Sequence, residues 1–364
     1  MSQGNVSRSV ILVGIAHRLY SRADVLSDIM SRKFGFSKVF VHLHHTLPPF
    51  LQFLVANIYI LIKLLLMIVR YKSRISICVV FSYILTPVAF ILKKLRFIKY
   101  LVYDDADYAP IFSKNSISRA LVGFLEILGI KTAEVVVSAS EVLKELRTPL
   151  TASKAVYVIP NGIDNVFCSV HQHGVYLNRP IDIVYQGNID EDYIYLTNTL
   201  EALAKLCREK NIKAIIVGSG KDSVKVYRYT EKCKEIKFLG VLRREPLSIL
   251  LSNSKIGIAP YKVIGSARYG APLKIKEYLV TTLCVAVTNV KPIKYFLAKT
   301  NACYEIIENP SPEGIIHAID KLLHKIQKDY DMLQKTHLTI KDHLCTNYLW
   351  ETLASHYARI ILRL

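Results

Sequence analysis

Lys274 and Glu277 stand three residues apart in the stretch GSARYGAPLKIKEYLV (265–280). Just before them comes Pro272, whose fixed φ and missing N–H suit the first position of a helix. The positive end of a helix dipole repels a cation in its first turn, so Lys274 is out of place unless an anion shares the site. A phosphate at a helix start accepts the free N–H groups and cancels the dipole, and the Lys274 ammonium adds a point charge to it. One turn along the same face, Glu277 can accept two charge-assisted bonds from the vicinal hydroxyls of a ribose. The pair thus describes a nucleoside diphosphate lying across a helix start. The same spacing also fits an ordinary surface ion pair contributing about 0.3 kcal/mol, and spacing alone leaves both readings open.

Other residues carry possible chemistry. YDDADY (103–108) clusters carboxylates, among them Asp104 and Asp107, at the end of a strand pattern. They are candidates for proton transfer with an acceptor or sugar hydroxyl, or solvated acids ahead of a helix. Gly187, Gly218 and Gly220 close strand patterns, where backbone can approach a ligand or simply turn tightly. GSG at 218–220 is followed by Lys-Asp-Ser, and the first strand runs on as LVGIAHRL. Neither is a dinucleotide fingerprint, which argues against a nicotinamide-linked oxidoreductase. His17 and Arg18, with Arg22, follow the first strand and either contact an acceptor phosphate or are solvated. His42, His44 and His45 alternate at a strand end with no fourth ligand nearby, so we expect no metal there. The 7 cysteines are scattered and never spaced C-x-x-C. That argues against a disulfide framework or thiolate metal site and fits a reducing interior.

Strand and helix patterns alternate along all 364 residues, the signature of α/β architecture with parallel sheets. One series runs from SVILVGIA (9–16) to AVYVIPNGID (155–164); within it Ser21 is the expected N-cap of a helix over 21–35, with Asp24 three residues on. A second series starts at IDIVYQGNI (181–189) and ends in helices. We expect two Rossmann-like halves meeting near 162–180, with ligand at the carboxyl ends of strands in the cleft between them. The N-terminal domain is expected over 1–165, a nucleotide-binding domain over 166–345, and a terminal helix over 346–364 that packs back toward the first.

The charge is lopsided. The formal net charge is +19, and between Ile29 and Tyr103 there is no Asp or Glu but eleven Lys or Arg. The same stretch contains PFLQFLVANIYILIKLLLMIV (49–69). Basic and apolar together suggest an anionic membrane surface rather than nucleic acid, for which no reader motif is present. The segment is long enough to span a bilayer, but Gln52, Asn57 and Lys63 interrupt it. A helix with one face on lipid and a fully buried core helix are the two other readings.

The order and spacing of VSASEVLKEL, AVYVIPNGIDNVF, IIVGSG, IKFLGV, IAPY, APLKIKEYLV and NYLWETLASHYARIIL resemble the GT-B glycosyltransferases of the retaining group 1 (GT4-like) family over most of the chain. The resemblance implies a GT-B fold of two Rossmann-like domains and a nucleotide sugar as donor. It implies that Glu277 holds the donor ribose and Lys274 lies near the donor phosphates, with Gly187, Gly218 and Gly220 on the donor side. No bound metal or other cofactor is expected, because Lys274 and the helix start would stabilise the leaving diphosphate. The acceptor, a glycan or lipid-linked molecule, would be met by His17, Arg18, Asp104 and Asp107, with the protein peripheral on the cytoplasmic face of the membrane. The chain departs from the family at Tyr269, where many members carry a second glutamate, and at QGNIDEDYIYL, which lacks their Arg/Lys pair. The acidic loop has Ala106 where related transferases carry a histidine. These departures leave room for a catalytically silent homologue acting as a partner subunit.

Overall fold

A computed structural model of the chain describes residues 10–16, 21–42, 48–72, 74–113, 115–152, 154–170, 178–270 and 273–364. It divides into two units, Met1–Asn161 with Trp350–Leu364, and Gly162–Leu349. His17, Arg18, His44, His45 and Pro272 lie outside the described residues.

In the first unit six short strands form a parallel sheet: β1 (Val10–Ala16), β2 (Ser37–His42), β3 (Ile75–Val80), β4 (Ile98–Asp105), β5 (Val135–Ser138) and β6 (Ala155–Val158), in the order β2-β1-β3-β4-β5-β6. Val and Ile dominate them because helices cover both faces of a parallel sheet. The covering helices are α1 (Arg22–Phe34), α2 (Pro49–Tyr71), α3 (Thr86–Lys94), α4 (Ser116–Thr132) and α5 (Glu141–Arg147). Ser21 caps α1 by accepting the Asp24 N–H, and Gly35 closes it in the left-handed region at φ 69°, as start and stop signals of this type require.

Helix α2 is not a buried core helix. Ala56, Ile60 and Leu64, at i, i+4 and i+8, reach the core, which is the narrow stripe a 3.6-residue period allows. Phe50, Ile62, Leu66 and Val69 remain exposed, and only 17% of its apolar window is buried.

The second unit repeats the plan with β7 (Ile181–Asn188), β8 (Ala214–Ser219), β9 (Ile236–Phe238), β10 (Ser254–Ala259), β11 (Cys284–Thr288) and β12 (Tyr304–Ile307), in the order β12-β11-β10-β7-β8-β9. Its helices are α6 (Asn165–Ser169), α7 (Leu196–Lys210), α8 (Ser223–Lys232), α9 (Arg244–Ser252), α10 (Leu273–Val280), α11 (Lys291–Thr300), α12 (Pro312–Lys328) and α13 (Tyr330–Asn347). At its boundary the chain pairs with itself: Ile163 bridges Leu349, and the Ile163 N–H donates to Tyr348 O at 2.7 Å. The last helix, α14 (Trp350–Ile361), belongs to the first unit and packs on α1.

One expectation is corrected here. Cys168 and Cys345 form a disulfide. Their sequence separation of 177 hides the pair from any spacing rule; they meet because α6 and α13 pack together. The other five cysteines are buried thiols.

Candidate functional site

In the second unit β7 lies between β8 and β10, so the strand order reverses between β7 and β10. The loops leaving the carboxyl ends of such a pair diverge and open a crevice. The residues around this point are Tyr185, Gln186 and Gly187 from β7, Tyr261 just after β10, and the side chains of α10.

Lys274, in the first turn of α10, does not pair with Glu277. Its ammonium sits between two aromatic faces, 4.5 Å from the Tyr185 ring centroid and 4.8 Å from that of Tyr261, a cation–π cage. Burial pushes its pKa down to about 7, against the opposing pull of the Glu277 charge. A lysine held this way is poised to gain a proton when an anion arrives. Gly187 leaves the space: at φ +134°, a Cβ there would fall 2.5 Å from Lys274 Nζ.

Glu277 is 3% exposed, which rules out a surface ion pair. One carboxylate oxygen accepts from Gln186 Nε2 at 2.6 Å and the other from Arg244 Nη2 at 2.6 Å. Arg244 also donates to Asp164 and stacks on Phe167, 4.7 Å from its centroid. Each carboxylate oxygen offers about two acceptor sites, so Glu277 keeps capacity for a diol. Tyr278, next along α10, accepts the Gln186 N–H at 3.0 Å and fixes the strand that carries Gln186. Gly218 and Gly220 serve the backbone: a Cβ on either would stand about 2 Å from Gly187 O or Ile189 O, closer than any real contact. They let the β7 and β8 ends lie against each other and so hold Gly187 in place.

Residues 180–325 match the family described as Glycosyl transferases group 1.

No curated protein sequence matches the chain. Solved structures do. Sucrose-phosphate synthase from Thermosynechococcus elongatus is similar with a TM-score of 0.72 at 12% identity, covering 98% of this chain and 99% of the other. HepE from Anabaena, solved in complex with UDP, gives 0.70 at 14% identity over 98% and 100%. A glycosyltransferase from Rickettsia africae gives 0.66 at 15% identity over 97% and 98%. At these identities the likeness speaks for the fold, which is GT-B: two units, each a six-stranded parallel sheet between helices.

In the N-terminal GT-B unit the acids of β4 are distributed unevenly. Asp104 is buried in a bidentate ion pair: Arg22 Nε and Nη2 donate to its two oxygens at 3.0 Å each. Asp105 is held by Arg147 at 2.9 and 3.0 Å, and Arg147 reaches Glu126 at 2.8 Å. Burial, then the competing Asp105 charge, leave Glu126 at about 7 despite Arg147. Asp107 is exposed as a residue, yet burial around its carboxyl and the charges of Asp105 and Asp104 push it up to about 6, with Arg22 opposing. Of the two acids singled out in the sequence, Asp107 faces solvent and Asp104 is tied into an internal ion pair.

Several site residues carried no sequence signal. Arg244, which supplies cationic charge beside Glu277, lies after β9, not after β7 where an Arg/Lys pair was sought. Gln186, Tyr185 and Tyr261 read as strand residues; only their place at two strand ends beside a reversal of strand order marks them. Arg268 is exposed just before α10, with its guanidinium over Tyr269. Among the described residues, His42 joins no group of potential metal ligands.

Proposed function

We propose that the chain is a retaining glycosyltransferase that moves a sugar from a nucleoside-diphosphate sugar to a glycan or lipid-linked acceptor. The observation that carries this reading is the pairing of a caged Lys274 with a buried Glu277 on α10, at the β7/β10 reversal and inside the segment that matches the family. HepE, a structure of the same fold, was solved with UDP, which supports a nucleoside diphosphate as the ligand class. Glu277 takes the ribose hydroxyls, with Gln186 and Arg244 holding its carboxylate. As the bond from sugar to diphosphate breaks, negative charge grows on the leaving oxygen. Lys274 and the free N–H groups of α10 stabilise that charge, and they do so without reorganising because the cage has already placed them. Turnover is therefore expected without divalent metal. Acceptor recognition belongs to the N-terminal unit, with Asp107 as its exposed acid.

The membrane side of the reading rests on α2. Its outward face is apolar; α3, which packs beside it, and α4, which packs on α3, also expose apolar residues such as Ile91, Leu121 and Phe124. An apolar surface of this kind marks an interaction site, and the surrounding segment 29–103 is purely basic. We place the protein peripherally on an anionic membrane face; the cytoplasmic side expected from the cysteines loses its ground with the Cys168–Cys345 disulfide.

A thermal-shift screen of the full chain against UDP, GDP, ADP and their sugars tests the donor site. Stabilisation by one nucleotide family, lost in Glu277→Ala, is the expected result; stabilisation by none overturns it. Tyr269, at a position where relatives often carry an acid, favours a silent partner subunit as the second reading. Nucleotide-sugar turnover by the purified chain decides between the two.

A further inference from the structure

Away from the donor site, three ligand-type side chains converge in the second unit. Cys284 opens β11, and Cys303 immediately precedes β12. The Val285 N–H donates to Cys303 O at 2.9 Å, which sets the two cysteines side by side on adjacent strands. His337 reaches them from α13. All three are buried, and their sulfur and nitrogen atoms lie within 4.8 Å of one another. Polar groups gathered in an apolar core need a compensating interaction. Cys303 lies within hydrogen-bonding reach of both Cys284 and His337, so the cluster is already drawn together around one point. Neither cysteine belongs to the disulfide, and none of the three contributes to the α10 site.

We propose that Cys284, Cys303 and His337 form a structural site for a borderline-soft d10 cation, with Zn2+ as the natural probe. Two thiolates and one neutral imidazole balance a divalent ion, so the filled site is neutral and suits its apolar surroundings. A tetrahedral zinc with bonds of about 2.3 Å to sulfur holds its sulfurs roughly 3.8 Å apart, so small side-chain rotations close the present spacing. Cys303 also borders a groove lined by Glu305, Lys325, Met332 and Thr336. That groove supplies an entry path and room for a water as fourth ligand, the arrangement of three protein ligands that zinc tolerates. Filled, the site would pin α13 to the two strands at the sheet edge. The linear sequence hides it because its ligands come from two separate strands and a distant helix.

The test uses the full chain, stripped with a chelator and titrated with Co2+ as a spectroscopic substitute. The expected result is one equivalent bound, with thiolate-to-cobalt charge transfer in the near ultraviolet and the visible bands of a tetrahedral ion. Cys303→Ser and His337→Ala should lose these bands, whereas Cys207→Ser, which alters a buried thiol outside the cluster, should keep them. Zn2+ should raise the melting temperature of the stripped wild-type chain by at least ~2 °C, since a ligand that binds only the native state stabilises it. The absence of thiolate charge transfer in the wild-type chain overturns the proposal even if the variants fail to fold. So do bands that persist in Cys303→Ser. Because the readout is metal spectroscopy rather than sugar transfer, its outcome is independent of the glycosyltransferase reading.

Discussion

At the scale of single residues, the proposed donor site depends on Gly187 as much as on Lys274 and Glu277. A Cβ there would collide with the Lys274 ammonium, at a φ that L-residues avoid, so Gly187→Ala should displace Lys274 from its cage. We expect nucleotide affinity to fall at least tenfold, measured by calorimetry, with the far-ultraviolet spectrum unchanged. Lys274 also predicts a pH dependence. Its pKa in the empty protein is about 7, and a bound diphosphate raises it. Below pH 7 the lysine is already protonated and binding gains nothing from added protons. Above pH 7 binding must take up a proton, so affinity falls, approaching tenfold per unit, until the pKa of the complex is reached. A UDP affinity that stays flat between pH 7 and 9 would remove Lys274 from the phosphate contact. In the first unit, Asp104→Ala leaves Arg22 buried and unpaired and should cost about 3–5 kcal/mol by chemical denaturation. Asp107→Asn should leave the denaturation midpoint nearly unchanged while lowering transfer to acceptor. A proline and a dipole argument single out Lys274 and Glu277 locally but leave a surface ion pair open, and the structure closes that alternative by burying Glu277. Gln186 and Arg244 carry no such mark, and Arg22, expected to meet an acceptor phosphate or solvent, is instead buried on Asp104; their partners lie 91, 33 and 82 residues away and only the tertiary fold joins them.

Elements were more legible than contacts. Alternating runs of Val and Ile with amphipathic stretches located the strands and helices, and Ser21 marked the start of α1 as the structure has it. The pattern could not decide α2. Its composition is mostly apolar, and whether such a helix is core, surface or membrane depends on what packs against it, which periodicity does not encode. Among the described residues, one stripe of it packs on the core. Replacing outward residues should therefore spare the fold and remove the surface function. The double variant Ile62→Asp/Leu66→Asp should melt within a few degrees of wild type yet fail to float with vesicles containing phosphatidylserine. Wild-type protein should float with these vesicles and release as salt rises, because the basic contribution is screened. Wild-type protein that stays in the pellet at low salt would refute a lipid-facing role for α2.

For the whole molecule, the α/β alternation foretold two parallel-sheet units, but neither the strand order nor the disulfide could be read from it. Order follows from which crossovers pack together, and Cys168 and Cys345 sit far apart in sequence. That disulfide joins α6, near the start of the second unit, to α13, near its end, and so closes a ring through most of that unit. Restricting so long a loop in the unfolded chain stabilises by about 5 kcal/mol on an entropy argument; reduction should lower the melting temperature of the second unit and leave the first unit's transition in place. The placement of α14 has another consequence, in the order in which the protein can be made. The first unit is interrupted by the second and completed only by α14, whose Trp350, Tyr357 and Ile361 are buried in it. Domains generally fold as they emerge from the ribosome, but here the unit begun first lacks its closing helix until the second unit has been made. The unit synthesised second is therefore the first able to fold, while the N-terminal sheet waits, with its apolar surface incomplete, for α14.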